Sequence, residues 1–281
     1  MPTASSAASS APSPATTRPL ALITGASAGI GMAFARAYAA RGYDLALSAR
    51  RADRLEALAG ELSAAHGVEA FAVPADLATY EAHLGVLAQV AARGRVVDAL
   101  VNNAGFSIAQ SFVGVPWTRQ RDFLMTLVVN ACGLAYGVVP GMVARGRGSI
   151  VNVGSLAAYA PGVAGHSLYP GAKRLIVTFS QALAAELKGT GVRVTATCPG
   201  FTLTEFAEAN GTKGVMDEAP RRLFQTPEQV VAETLAANDR GRVVVVPGLH
   251  NKIAAAVLHY APEPLLIAIL TRASAKYHLE D

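Results

Sequence analysis

Seven short runs rich in β-branched and aliphatic residues recur along this chain, separated by longer alanine-rich stretches. They are Leu20 to Thr24, Asp44 to Ser48, Val68 to Val73, Val97 to Asn102, Ser149 to Val153, Arg193 to Cys198 and Arg242 to Val246. Several are apolar at consecutive positions, as expected of parallel strands covered by helices on both faces, and the stretches between them are long enough for right-handed crossovers. The alternation predicts an α/β fold, a doubly wound parallel sheet of about seven strands in a three-layer α/β/α arrangement. No linker or internal repeat interrupts 19–248, so a single domain is expected there. With 52% hydrophobic and 16% charged residues, the chain has the apolar material for such a core.

Two segments stand apart. Residues 1–18 are mostly Ala, Ser, Thr and Pro, without an apolar block and with one arginine, Arg18, and are expected to form a disordered leader. Residues 249–281 turn apolar again through Ile253–Leu258 and Leu265–Leu270, but His259, Tyr260, Pro262, Glu263 and Pro264 divide the runs. Neither run approaches the roughly 20 residues of a membrane span. They are expected to form an apolar helical extension packed on the domain or on another subunit, with a substrate lid or a peripheral membrane contact as alternatives. The net charge of +4 is dispersed, which argues against nucleic acid as a partner. Cys132 and Cys198 lie far apart and the six histidines are scattered, so no metal site is predicted and a reduced, cytoplasmic setting is expected.

The first predicted strand runs directly into Thr24-Gly25-Ala26-Ser27-Ala28-Gly29-Ile30-Gly31 and then an alanine-rich helix. Glycine is needed in such a place for a tight turn, for close backbone approach to a pyrophosphate and for packing of helix on sheet, and the helix N-terminus attracts the phosphates. Gly25, Ser27, Ile30 and Gly31 are therefore cofactor candidates. The second strand ends at Arg50-Arg51, where an NAD site offers an acid to the ribose hydroxyls. Arg50 is placed to bind a 2′-phosphate, with Arg51 adding favourable potential, so NADP(H) is preferred and NAD(H) remains possible. A helix-start surface network that includes Asp53 is the bland alternative. Asp76-Leu77 and Asn103-Ala104-Gly105 end the third and fourth strands in the same crevice, Asp76 toward the adenine amine and Asn103 toward the adenosine. Their alternative is turn formation.

Beyond the fifth strand come Ser155 and then Tyr169-Pro170-Gly171-Ala172-Lys173. Four residues apart on a helix, Tyr169 and Lys173 share a face, which lets an ammonium act on a phenol. A phenol of reference pKa about 10 needs roughly 1.4 kcal/mol of phenolate stabilisation for each unit of depression. Ser155 is placed to hold a substrate oxygen, and Asn130 to support Lys173 and a proton-carrying water. Tyr159 is an alternative hydroxyl, but position 163 is valine where its lysine would stand.

Together these motifs resemble the short-chain dehydrogenase/reductase family, with its TGxxxGxG, NNAG, active-site Asn, Ser, YxxxK and PG elements. They stand here as Thr24 to Gly31, Asn102 to Gly105, Asn130, Ser155, Tyr169 to Lys173 and Pro199-Gly200, in family order over about residues 19–248. The resemblance implies a Rossmann-type fold and a homodimeric or homotetrameric oxidoreductase acting on a small carbonyl or alcohol. It implies Tyr169 as general acid/base, Lys173 as its pKa modifier and ribose ligand, Ser155 as donor to the substrate oxygen and Asn130 as relay support. Pro199 and Gly200, with Thr202 and Thr204, would border the nicotinamide carboxamide and the phosphates.

Two departures stand out. Tyr169 lies fourteen positions after Ser155, one more than the family's usual spacing, which implies a one-residue insertion in Leu156–Leu168 and leaves open whether Ser155 keeps its place or is displaced. Pro170-Gly171 follow the tyrosine where small helix formers are usual, so the helix is expected to start late or to be loose. A stretch from Glu205 to Gln225 containing Phe206, Val215, Met216, Leu223 and Phe224 reads as a lid over an apolar substrate body. The alternative function is a non-catalytic NADP(H)-binding sensor or interaction protein on the same fold.

Overall fold

The computed structural model describes residues 18–162, 164–165, 167–206 and 220–274. Residues 1–17 of the expected leader and the centre of the expected lid, Val215 and Met216 included, lie outside the described residues, while the leader's last residue, Arg18, is tied to the domain through its carbonyl, which accepts from Arg95 at 2.9 Å.

All seven expected strands form one parallel sheet. They are β1 (Leu20–Thr24), β2 (Asp44–Ala49), β3 (Ala70–Pro74), β4 (Ala99–Asn102), β5 (Gly148–Val153), β6 (Val192–Thr197) and β7 (Val244–Val245), in the order β3-β2-β1-β4-β5-β6-β7. Strands β1 and β4 are buried along their whole length, which is why their sequences are apolar without alternation. Edge strand β3 alternates in burial instead. The expected strand Arg242–Val246 shortens to two residues because β7 pairs only through Ala196↔Val244 and Thr197↔Val245. Val68 and Val97 are buried but precede the ladders they were expected to join.

Helices cover both faces: α1 (Gly29–Ala40), α2 (Ala52–His66), α3 (Ala82–Ala91), α4 (Trp117–Leu124), α5 (Asn130–Ala144), α6 (Tyr169–Glu186), α7 (Pro227–Asp239), α8 (Leu249–Tyr260) and α9 (Glu263–Ser274). On one face Ala21 and Ile23 meet Phe34 and Tyr38 of α1, Leu55 and Leu62 of α2 and Leu235 of α7. On the other Leu20 and Leu22 meet Val86 and Val90 of α3 and Leu134, Val138 and Met142 of α5. Phe179 and Leu183 of α6 pack partly buried against this second core, whereas Leu175 stays exposed.

Among the described residues one helical run, Trp117–Ala144, is long and apolar enough to cross a membrane. Phe123, Leu127, Leu134, Val138 and Met142 of this run are core side chains, so its apolarity is that of a central helix. The run comprises α4, a π-helical turn at Met125–Val129 and α5. That turn delivers Asn130 into the interior.

The chain reverses direction across the sheet between β1 and β4, opening a crevice at their carboxyl ends. Gly25, at φ 66°, turns the chain from β1 toward α1. Gly31 lets the helix approach, because a Cβ there would lie 2.2 Å from the Gly25 carbonyl oxygen. Gly31→Ala is therefore expected to lower unfolding free energy by about 1–3 kcal/mol, the usual cost of overpacking a rigid contact. Urea denaturation checks this, and an unchanged midpoint would contradict it.

Candidate active site

The crevice begins at Thr24, whose hydroxyl donates to the Val101 carbonyl at 3.2 Å and accepts the N–H groups of Asn103 at 2.9 Å and Ala104 at 3.0 Å. The Asn103 amide donates to the carbonyls of Thr24 at 2.9 Å and Gly25 at 3.3 Å. This side chain, expected to face the adenosine, is instead spent on bracing the glycine turn. Ala28, at the cap position before helix α1, supplies no side-chain cap, so the first N–H groups of the helix have no capping side chain. A phosphate fits there on charge and geometry. The glycine cradle, the uncapped helix start and the arginines that end β2 together suit a dinucleotide phosphate.

Those arginines differ in their engagement. Arg51 donates to Ser27 Oγ at 3.1 Å and pairs with Glu205 at 3.3 Å, so the favourable potential expected of it is largely offset. Arg50 is exposed. Asp76 is also exposed and accepts from the Ala78 N–H at 3.1 Å, the turn-forming role that was its alternative. Leu77 and Ala104 line a small cavity with Thr24, Asn102 and Lys173. The Asn102 amide oxygen is buried without a partner among the described residues.

The chemical groups converge across the sheet from β5, α6 and the end of β6. Ser155 follows β5 and caps the 3-10 turn Leu156–Tyr159 by accepting from the Ala157 N–H at 3.1 Å. The same hydroxyl lies near enough to the Tyr169 phenol to oppose the rise of its pKa. The lengthened loop thus leaves Ser155 beside Tyr169. Helix α6 begins at Tyr169 itself, with Pro170 in its first turn and the Ala172 N–H bonded to the Leu168 carbonyl at 2.9 Å. The expected late start does not occur, since proline's missing N–H costs nothing where no helical acceptor precedes it.

One turn on, Lys173 is buried, its ammonium donating to the Val153 carbonyl at 2.8 Å and standing 5.8 Å from the centre of the Tyr169 ring. Burial pulls this ammonium down to about 8. Burial pushes the Tyr169 phenol up, with the Ser155 hydroxyl opposing the rise. The protein's own groups thus favour the neutral phenol, not the depressed one that the Tyr–Lys spacing suggests.

Asn130 is fully buried but does not reach Lys173 with its side chain. Its amide donates to the carbonyls of Leu77 at 2.8 Å and Thr79 at 2.9 Å, and its oxygen accepts from the His83 N–H at 3.0 Å and lies 2.9 Å from His83 Nδ1. The side chain ties α5 to the loop after β3 and to His83 at the start of α3, and the ammonium of Lys173 is held by the Val153 carbonyl instead.

The turn after β6 holds Pro199, Gly200, Thr202 and Thr204. Thr202 donates to the Gly200 carbonyl at 3.1 Å, and the Thr204 methyl sits over Gly29. Sequence reasoning missed what stands behind this turn. Asn251 of α8, buried, donates to Gln225 Oε1 at 2.9 Å and the Pro247 carbonyl at 2.8 Å, and fills the space beside Gly200. It also missed Cys198, a buried thiol pushed up to about 11 by burial, with the Tyr159 hydroxyl and the Lys173 ammonium opposing the rise. No sequence pattern links these positions. Beside Tyr169 a second pocket is lined by Ile108, Phe123 and Leu168, with Gln110, Gln120 and Ser167. Among the described residues no cluster of His, Cys, Asp and Glu could hold a metal.

The family pattern described as short chain dehydrogenase matches residues 19–214. The chain belongs to the short-chain dehydrogenase/reductase family. Serine 3-dehydrogenase of Agrobacterium fabrum is 36% identical over 76% of this chain and 84% of its own. The NADP-dependent 3-hydroxy acid dehydrogenase of Salmonella typhi is 36% identical over 67% of this chain and 75% of its own. A short-chain dehydrogenase from Sphingobium yanoikuyae, solved in complex with NADPH, superposes with a TM-score of 0.76 at 33% identity, covering 88% of this chain and 94% of that one. This protein is accordingly an oxidoreductase of the short-chain type.

The opposing shifts at Lys173 and Tyr169 have a measurable sign. The folded protein holds Lys173 near 8 against 10.5 ordinarily, so in that window the unfolded chain binds more protons and stability rises with pH. Tyr169 and Cys198, raised in the fold, act in the opposite sense at higher pH. The difference between wild type and Lys173→Met isolates the lysine. Between pH 8 and 10 it is expected to move in favour of wild type by on the order of 2 kcal/mol. Urea titrations without added cofactor check this, and a flat difference would contradict it.

Proposed function

We propose that this protein is an NADP(H)-dependent oxidoreductase that interconverts a carbonyl and an alcohol, with Tyr169 as general acid/base. The observation that carries the reading is the contact between Ser155 and Tyr169 one turn from a buried Lys173. A hydroxyl pair of this kind holds a substrate oxygen from two sides, Ser155 by hydrogen bonding and Tyr169 by giving or taking the proton. Burial that keeps the phenol protonated at neutral pH suits the reducing direction, in which Tyr169 is the acid. Lys173 lies where its charge offsets the phenolate left behind, and Asn130 fixes the wall of the site. The bound nicotinamide would supply or accept the hydride. Gly25, Ile30 and Gly31 with the start of α1 would hold its phosphates, and Arg50 with Ser27 the 2′-phosphate.

An apolar substrate body fits the pocket at Ile108, Phe123 and Leu168. The names of the Salmonella and Sphingobium proteins, one NADP-dependent and one bound to NADPH, support the cofactor assignment. Exposed Val129 at the π-helical turn, Tyr136 and Val143 on α5 and Leu175 on α6 support assembly as a homodimer or homotetramer, and the two unpaired thiols a reducing, cytoplasmic setting.

Tyr169→Phe keeps the ring and removes the group that transfers the proton. Turnover on a screened carbonyl panel is expected to fall roughly 100-fold or more while NADPH binding survives. Ser155→Ala should approach that loss, since the hydroxyl is in place. Near-normal reduction by Tyr169→Phe would exclude the mechanism. For the cofactor, NADPH is expected to bind more tightly than NADH, with Arg50→Asp narrowing or reversing the preference. Fluorescence titration of both cofactors tests this, and equal affinities in wild type would refute it.

A further inference from the structure

Arg51 and Arg54 share one partner, the Glu205 carboxylate. Arg51 Nη1 lies 3.3 Å from it, and Arg54 Nη1 lies 3.0 Å from both of its oxygens. Glu205 reaches them from across the sheet, on the segment that follows β6. Its neighbour Thr204 is seated on the start of α1, where a Cβ on Gly29 would lie 2.9 Å from the threonine methyl. The arginines hold this carboxyl below its usual range, so it is a full anion at neutral pH. A negative charge is thus anchored between the end of β2 and the turn before α1. These are the two elements to which the 2′-phosphate is assigned. Arg51 also reaches Ser27, so its guanidinium is engaged on both sides. No ion pair among the described residues engages Arg50.

A phosphate monoester carries about −1.5 to −2 charges near neutrality and seeks the same guanidinium groups as a carboxylate does. An unphosphorylated ribose has no such need. We propose that Glu205 is a specificity-determining residue for the cofactor, an internal counter-charge that occupies Arg51 and Arg54 and weakens the hold on a 2′-phosphate. This rests on the assignment of the β2 end as the phosphate site. Arg50 is then the principal phosphate ligand, and Arg51 contributes only to the extent that it leaves Glu205. NADH, lacking the phosphate, is indifferent to the carboxylate.

Glu205→Gln keeps the size and the acceptor oxygen and removes the charge. Dissociation constants for NADPH and NADH, and for 2′,5′-ADP and 5′-ADP as probes without nicotinamide, would be measured by calorimetry in wild type and variant. The variant is expected to bind NADPH and 2′,5′-ADP about 5-fold more tightly while NADH and 5′-ADP change by less than about 2-fold, the scale of exposed charge pairs. The gain should shrink in about 0.5 M salt. No change, equal tightening of all four ligands, or weaker NADPH binding would each overturn the proposal, the last by making Glu205 a brace for Arg51. If wild type prefers NADPH and Arg50→Asp removes that preference, such a result defeats the proposal alone. If wild type shows no preference and Arg50→Asp changes nothing, the phosphate assignment itself fails and the proposal with it.

Discussion

The hydroxyl of Thr24 closes the seam on which the rest of the site depends. Where the two halves of a doubly wound sheet diverge, the ends of the central strands present backbone N–H groups with no neighbouring strand to receive them. Thr24 takes two of these, from Asn103 and Ala104, and gives its own proton to Val101. Its hydroxyl is buried, so each bond replaces an unmet donor or acceptor whose cost would run to about 1–3 kcal/mol. The Asn103 amide then returns across the seam to the carbonyls of Thr24 and Gly25. One side chain from each strand therefore fixes the conformation of the glycine turn. The direction of α1 and the aim of its N–H groups follow.

On the chemical side the organising feature is a buried lysine tethered to the strand that precedes it. Lys173 reaches back from α6 to the last carbonyl of β5, and Ser155 stands two residues beyond that carbonyl. This tether sets the distance between helix and strand, and so brings the Tyr169 and Ser155 hydroxyls together despite a loop of unusual length. Burial drives both titratable partners toward neutrality, the ammonium down and the phenol up. A site built this way keeps its proton on the tyrosine until a nearby charge makes the phenolate acceptable, which ties proton transfer to a filled site.

Much of this was legible in the sequence because it follows from local periodicity and spacing. β1 was read to the residue from an unbroken apolar run, and the Tyr169–Lys173 spacing placed both groups on one helical face. What escaped depends on contacts between distant segments. Asn130 was assigned to Lys173 from its place in the motif order, yet its amide is committed to Leu77 and Thr79, which no local pattern encodes. The Pro170-Gly171 pair argued for a loose helix, but proline in the first turn sacrifices no hydrogen bond and Gly171 is exposed, so neither residue disturbs the core. Arg51 looked like free positive charge because its partner Glu205 lies 154 residues away.

The turn after β6 shows how one short motif answers to two sides of the molecule. Pro199-Gly200 was assigned to the cofactor, and glycine there reads as room for a ligand. The space is in fact claimed by Asn251, since a Cβ on Gly200 would lie 2.2 Å from its amide oxygen. Asn251 in turn joins Gln225 and the Pro247 carbonyl, so the first helix of the apolar extension is keyed into the floor of the crevice by buried hydrogen bonds. Thr202, bridged to Gln225, carries that constraint on toward Thr204 and Glu205. The extension that composition alone set apart from the domain is, by this chain of contacts, part of what fixes the cofactor wall. Gly200 is required by the protein's own packing before any ligand makes a claim on it.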